Sequence, residues 1–358
     1  MDALKLGDIT IAVPIIQGGM GVGVSLSGLA VAVANEGGVG VISSAGLGLL
    51  YRNLSIDFRE ANILGLTEEI SKARKSTKGI IGVNIMVAMS NFADLVRTAI
   101  KEKIDIIFAG AGLPLDLPSF LTKGSKTKLV PIVSSGRAAK IILEKWNANY
   151  HVLPDAFVVE GPKAGGHLGF KKHEIQDEEF LLSRLVADVC EAIRPLEEKY
   201  GKKIPVIAAG GIYTGTDIYE IMKSGADGVQ MGTKFVTTHE CDASVRFKEA
   251  YINAEVGDIG IIDSPVGMPG RAIINSFTEK IRMGKKHPLR CPFKCIRTCD
   301  VSSSPYCIIS ALFNAFKGNL EGGFAFAGSN AYRATKLQSV KEVFLELKKE
   351  FQLAVVSG

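Results

Sequence analysis

The chain is poor in aromatic residues, which make up 7% of its 358 residues and include a single tryptophan. With 47% hydrophobic residues, its core must therefore be mostly Ile, Val, Leu and Ala. Such a core suits parallel strands covered on both faces by helices. No apolar run reaches the ~18 residues that a membrane span requires. The opening MDALKLGDIT lacks the charged-then-apolar layout of a secretory signal. Both absences lead to the expectation of a cytoplasmic protein with no membrane partner. Charge of one sign is also lacking. The net charge is +5 with both signs interspersed, and no basic patch carries the aromatics that nucleic-acid binding would call for. Histidine is scarce, with five in the chain.

Glycine, by contrast, is abundant at 39 residues, enough for many tight turns or ligand-facing loops. The length suits one large domain, or one barrel with an attachment. Short apolar runs recur along the chain at about residues 15, 41, 83, 106, 131, 158, 206 and 229. Helical patterns separate most of them. Ser25–Asn35, capped by Ser25 or Ser27, is the first such helix. Others are expected over Ile56–Ser76, Asn91–Lys101, Arg137–Trp146, Glu178–Ile193 and Thr214–Ser224. Eight strand–helix units predict an α/β fold, a TIM (β/α)8 barrel, with a doubly wound sheet as the alternative. The GGMGVG run at 18–23 does not have the G-x-G-x-x-G spacing of a dinucleotide-binding turn.

In a barrel, functional groups gather at the strand C-termini. Here those ends are Gln17-Gly18-Gly19, Ser43-Ser44, Asn84, Ala109-Gly110, Ser134-Ser135, Glu160 to His167, Gly210-Gly211 and Gln230 to Thr233. Nearly all are small, amide or hydroxyl residues, as a hydrogen-bonding, partly planar ligand needs. The stretch Ala156–Phe170 (AFVVEGPKAGGHLGF) runs from a buried strand into a glycine-rich turn that carries His167. That is how α/β enzymes place an acid–base group beside a ligand. Loops after the seventh and eighth strands commonly hold phosphate. The glycines at 210, 211 and 232 fit that use, because their N–H groups can cradle an anion.

Five motifs resemble the flavin-dependent nitronate monooxygenase family, formerly the 2-nitropropane dioxygenases, and the closely related flavin-type enoyl-acyl-carrier-protein reductases. They are PIIQGGMG at 14–21, GVNIM at 82–86, EGPKAGGHLG at 160–169, PVIAAGGI at 205–212 and GVQMGTKF at 228–235. The resemblance implies a barrel that binds FMN non-covalently. Gly18, Gly19 and Met20 would line the flavin ring and Asn84 would contact it. Glu160, at a position that is often Gln, would face it, with Gly165 on the same loop. Gly210, Gly211, Gln230, Met231, Gly232 and Thr233 would grip the phosphate, and His167 would be the catalytic residue. Lys163 stands where the family usually has Glu. The implied activity is oxidation of alkyl nitronates with O2. The alternatives are NAD(P)H-dependent reduction of an enoyl thioester and, from another class, a phosphate-binding barrel enzyme without redox chemistry. His151, His173, His239 and His287 read as surface residues. A homodimer is the default assembly.

After residue 240 the strand–helix pattern ends, so the barrel is assigned to 1–240 and an extension over its mouth to 241–358. Within the extension, Gly257–Gly270 reads as a lid-like loop and Arg271–Met283 as helix. Ile308–Phe316 also reads as helix, Phe324–Asn330 as a small-residue loop, and Ser339–Phe351 as a closing helix. The resemblance brings Gly328 and Ser329 back toward the flavin. Cys291, Cys295, Cys299 and Cys307, spaced C-x3-C-x3-C-x7-C, are candidate ligands for an iron–sulfur cluster or zinc. Cys190 and Cys241 read as core thiols.

Overall fold

A computed structural model describes residues 1–51, 57–285 and 291–358. The chain opens with a hairpin, β1 (Leu4–Leu6) and β2 (Ile9–Ile11), followed by β3 (Ile15–Gln17). The remaining barrel strands are β4 (Val39–Ser43), β5 (Ile80–Met86), β6 (Ile106–Gly110), β7 (Lys128–Val133) and β8 (Phe157–Glu160). A two-residue β9 (Gly166–His167) precedes the last two, β10 (Val206–Ala209) and β11 (Gly228–Met231). All pairings between barrel strands are parallel, and the barrel closes in the order β10-β11-β3-β4-β5-β6-β7-β8. The eight-stranded barrel expected from the apolar runs is therefore present.

Apolar side chains make the strands and the covering layer. β4 and β6 are buried at every residue, as strands with helices outside and packed side chains inside must be. The helices of this part are α1 (Ser27–Asn35), α2 (Gly48–Tyr51), α3 (Phe58–Ser76), α4 (Phe92–Lys101), α5 (Gly136–Tyr150), α6 (Leu182–Tyr200), α7 (Gly215–Lys223) and α8 (Thr233–Val236). Inside the barrel, Ile16, Val41, Phe108, Val130, Val158 and Ile207 form one cluster with Leu4, Leu6 and Ile11. The opening hairpin thus closes one end of the barrel. The apolar run at about residue 15 supplies β3, and the hairpin that precedes it is additional to the eight expected strands.

The end of α1 corrects a second expectation. Neither Ser25 nor Ser27 caps it through its side chain. Asp242 instead accepts from the N–H groups of Leu26 (2.7 Å), Gly28 (3.1 Å) and Leu29 (3.1 Å), and Glu69 accepts from Ser27 N (2.7 Å). Two carboxylates from distant elements so satisfy the orphan donors of the first turn. Ser25 is used locally: its Oγ accepts from Met20 N at 2.8 Å and fixes the loop that follows β3.

The extension adds α9 (Val245–Ile252), β12 (Ile259–Asp263), β13 (Pro269–Ile273), α10 (Ser276–Arg282), α11 (Ile308–Phe316) and α12 (Val340–Ser357). Residues 257–270, expected as loop, instead contribute most of an antiparallel hairpin, β12–β13, and β13 pairs with β9. The helix expected over 271–283 starts only at Ser276, because Arg271 to Ile273 belong to β13. Asn275 caps the helix, accepting from Thr278 N. α12 packs against α7, where the Phe351 ring lies edge-on to Tyr219 with centroids 5.8 Å apart, and its Glu350 accepts from Gly215 N at 2.7 Å.

Among the described residues, no three His, Cys, Asp or Glu side chains are grouped to hold a metal. This corrects the expectation for Cys291, Cys295, Cys299 and Cys307. Cys295 is buried against Val22, Phe58 and Ile309, and burial raises its thiol pKa to about 12. Its segment is latched by backbone: Ser90 N donates to Cys295 O (3.0 Å) and Arg297 N to Ala88 O (3.0 Å). A hydrophobic anchor, with its thiol protonated, accounts for Cys295. Cys241 is buried as expected, whereas Cys190 is only half-buried. His151, His173 and His239 are exposed, and His287 lies outside the described residues. Among those residues, no helix is long and apolar enough to cross a membrane.

Candidate active site

At the C-terminal ends of the barrel strands lies a cavity of about 260 Å³. Its wall contains Gly18, Gly19, Met20, Asn84, Glu160, Gly165, His167, Gly210, Gly211, Gln230, Met231, Gly232 and Thr233. Every residue expected to hold a flavin or act beside it is therefore brought to one hollow. Gly328 joins them; Ser329, one residue on, is not part of the wall.

The polar groups of this wall are left open. The side chains of Asn84, Glu160 and Gln230 form no hydrogen bond with the described residues, although each is half-buried. The N–H groups of Gly210, Gly211 and Gly232 likewise find no acceptor among the described residues. Just behind the wall, next to Gly328, Ser329 Oγ is also buried with no partner among the described residues. Buried polar groups are normally satisfied, so this concentration of open donors and acceptors marks a place for a polar ligand. Burial raises the pKa of the Glu160 carboxyl to about 7, and no cation of the described residues pairs with it.

Several glycines also serve the packing of the wall. A Cβ on Gly19 would stand 2.3 Å from Asn84 Cβ, and one on Gly165 would stand 2.5 Å from Gly328 N. Gly210 and Gly211 have φ of +97° and +86°, a region that side chains rarely adopt. The turn after β10 is thus bent in a way that exposes successive N–H groups. The segment 327–330 closes over it: Gly328 N donates to Thr233 Oγ1 (3.0 Å), Asn330 Nδ2 to Gly211 O (2.6 Å) and Ser329 N to Lys163 O (3.1 Å).

His167 is held on three sides. As part of β9 it pairs with Gly270 of β13. Its ring lies edge-on to Phe326, with centroids 4.9 Å apart, and its Nε2 is 2.7 Å from Ser264 Oγ. Burial lowers its pKa to about 4, so the ring is a neutral imidazole at ordinary pH. Below it, Arg271 donates from Nη2 to Pro162 O (2.7 Å) and from Nε to Ala164 O (3.2 Å). A guanidinium thereby pins the turn that carries His167. Tyr251 Oη donates to Phe326 O and also lines the cavity.

Ser264, Tyr251, Arg271 and Phe326 are absent from the sequence-derived site. They lie beyond the barrel motifs: Ser264 in the stretch read as lid, Arg271 in that read as helix, Phe326 in the small-residue loop, and Tyr251 in a stretch given no element. The only sequence-level signal was the glycine- and proline-rich run SPVGMPG, which marks a turn but not what the turn touches.

The chain matches the family model described as nitronate monooxygenase over residues 3–350. A probable nitronate monooxygenase of Staphylococcus aureus (strain Newman) is 28% identical over 309 residues, covering 76% of this chain and 78% of the relative. A (3aS,4S,5R,7aS)-5-hydroxy-7a-methyl-1-oxo-octahydro-1H-indene-4-carboxyl-CoA dehydrogenase of Mycobacterium tuberculosis is 28% identical over 273 residues, covering 76% of this chain and 66% of that protein. Among solved structures, FabK of Thermotoga maritima superposes with a TM-score of 0.75 at 28% identity, covering 97% of this chain and 95% of FabK. Nitroalkane oxidase of Streptomyces ansochromogenes superposes with a TM-score of 0.72 at 20% identity, over 97% and 98% of the two chains.

Proposed function

The chain belongs to the nitronate monooxygenase family, and we propose that it is an FMN-dependent oxidoreductase that oxidises alkyl nitronates with O2. The observation that carries the reading is the set of open polar groups around one cavity. Asn84, Glu160 and Gln230 lack partners among the described residues, as do the N–H groups of Gly210, Gly211 and Gly232. A flavin needs both kinds of group. Its ring edge alternates hydrogen-bond donors and acceptors, and its phosphate accepts from backbone N–H groups. When bound, FMN would supply the redox chemistry, taking electrons from substrate and passing them on.

The residues of this chain do the rest. Gly18, Gly19 and Met20 would lie along the ring, with Asn84 bonding its polar edge; Gln230, expected at the phosphate, has its side chain beside Gly18 and would bond the ring edge instead. The phosphate would sit at the turns after β10 and β11, beside Thr233 and Gly328. His167, neutral and half-buried, can take a proton from a nitroalkane or orient a nitronate. The Ser264 hydroxyl can both give and accept a hydrogen bond, so it can follow the imidazole through a change of protonation. The Phe326 ring, edge-on to the imidazole, covers one side of His167.

Glu160 favours a second reading, NAD(P)H-dependent reduction of an enoyl thioester. A carboxyl with a pKa near 7 on the cavity wall can deliver the proton that alkene reduction requires. An anaerobic absorbance titration separates the two. Bleaching of the flavin bands by nitronate alone supports the monooxygenase. Rapid bleaching by NAD(P)H alone supports the reductase. A purified chain with no flavin bands, and no uptake of added FMN, overturns both.

A further inference from the structure

Among the described residues, the cavity wall includes one lysine, Lys163, and one carboxylic residue, Glu160. Three other described cations near the 160–167 turn and the turns after β10 and β11 are engaged. Lys234 pairs with Glu346 at 3.2 Å and stacks on Tyr213. Arg333 lies 3.7 Å from Asp217 and over the same ring. Arg271 bonds Pro162 and Ala164. Lys163 is exposed and forms no ion pair with the described residues. Its chain runs along the phosphate-type turn, with Cβ and Cδ at 2.9 and 3.1 Å from where a Cβ on Gly211 would stand. Its carbonyl anchors Ser329, whose buried hydroxyl has no partner among the described residues.

These placements leave a charge to be met. The open N–H groups of Gly210, Gly211 and Gly232 can aim at an anion but bring no net positive charge. A phosphate monoester is close to a dianion at neutral pH, and a charged donor bonds it far more strongly than a neutral one. We infer that the Lys163 ammonium is the counter-charge of the FMN phosphate in this chain, at a position where the family usually has Glu. The inference rests on the flavin reading above and concerns the phosphate alone, not the ring. Lys163 also borders an outer hollow of about 370 Å³ whose wall includes Asp217 and Glu220. Those carboxylates make that hollow unsuited to a second anion.

The test compares FMN with riboflavin, which differ only in the phosphate. The full-length chain is freed of flavin, and both dissociation constants are measured by fluorescence quenching for wild type, Lys163→Arg, Lys163→Gln and Lys163→Glu. The expected loss of FMN affinity is about tenfold for Gln and about a hundredfold for Glu, with Arg within about threefold of wild type. Riboflavin affinity stays the same in all four. Wild-type FMN binding also weakens more steeply with added salt than that of Lys163→Gln. Equal losses for FMN and riboflavin would assign Lys163 a structural role and overturn the inference. So would an unchanged preference for FMN in Lys163→Glu, including one accompanied by a raised KM for NAD(P)H or thioester. Wild-type protein that binds neither flavin would instead overturn the flavin reading itself, and the inference with it.

Discussion

His167 Nε2 and Ser264 Oγ stand 2.7 Å apart, although 97 residues of sequence separate them. The contact exists because β13 pairs with β9 and the turn after β12 then falls against the imidazole. A hairpin from the extension thereby reaches the side chain that the 160–167 turn brings to the cavity, whose wall draws on both the barrel and the extension.

Removing that hydroxyl tests the arrangement. Ser264→Ala should keep its flavin and its fold but lower kcat by roughly tenfold, the worth of one buried hydrogen bond. Ser264→Thr should recover part of the loss. His167→Ala should also retain flavin and lose turnover almost entirely. Undiminished turnover in His167→Ala would remove the imidazole from the chemistry.

The pH profile should separate His167 from Glu160. Burial holds His167 near pKa 4, so it is already a neutral base at pH 5. The acidic limb of kcat/KM due to it should fall near pH 4, not near 6.5. Glu160 is shifted the other way, to about 7. A raised carboxyl pKa means that the fold favours the protonated form. That contribution to stability is complete below the ordinary value of 4.5 and is lost as pH rises through about 7. Glu160→Gln should therefore raise the Tm of the flavin-free protein at pH 8 more than at pH 5. Equal shifts at the two pH values would show that Glu160 does not titrate in this window.

Ser329 offers a cleaner probe of the phosphate end than the glycines do. Any side chain at Gly211 meets Lys163 and a φ of +86°, so a glycine variant would lose flavin for steric reasons alone. Ser329→Ala removes only an unpartnered hydroxyl. The flavin-free protein should be unchanged or more stable by up to about 1 kcal/mol. FMN affinity should fall by roughly fivefold, measured by the same fluorescence titration. No loss of affinity would place the hydroxyl outside the phosphate site.

The cap of α1 can be tested through stability alone. Asp242 accepts three backbone N–H bonds, and burial still raises its pKa to about 6. Asp242→Ala leaves those donors without an acceptor and should cost about 3 kcal/mol in urea unfolding. Asp242→Asn keeps an acceptor oxygen and should cost less than half as much. The loop 18–25, which leads from β3 into α1, should become more open to proteolysis in the alanine variant.

Much of the site was legible because its chemistry sits at strand ends. Apolar runs mark where barrel strands lie, and a parallel barrel must deliver the next residues to one rim. Gly18, Asn84, Glu160, His167, Gly210 and Gln230 converge for that reason, and local composition contains all of it. The cysteines misled because spacing records proximity along the chain. Whether thiols face one point or pack as apolar anchors, as Cys295 does, depends on the surface beneath them.

The sequence by itself determined the barrel and the rim to which the 160–167 turn carries His167, since both follow from apolar periodicity and turn composition within a few residues. Only the tertiary structure decided what surrounds that histidine. β9 is two residues long and has no propensity signal, so its pairing with β13 arises from long-range hydrogen bonds. The placements of Ser264, Phe326 and Arg271 follow from that pairing. The N-cap of α1 is likewise supplied from 213 to 216 residues away. Contacts of that span are set when elements dock, because no local pattern encodes which distant carboxylate or hydroxyl will arrive.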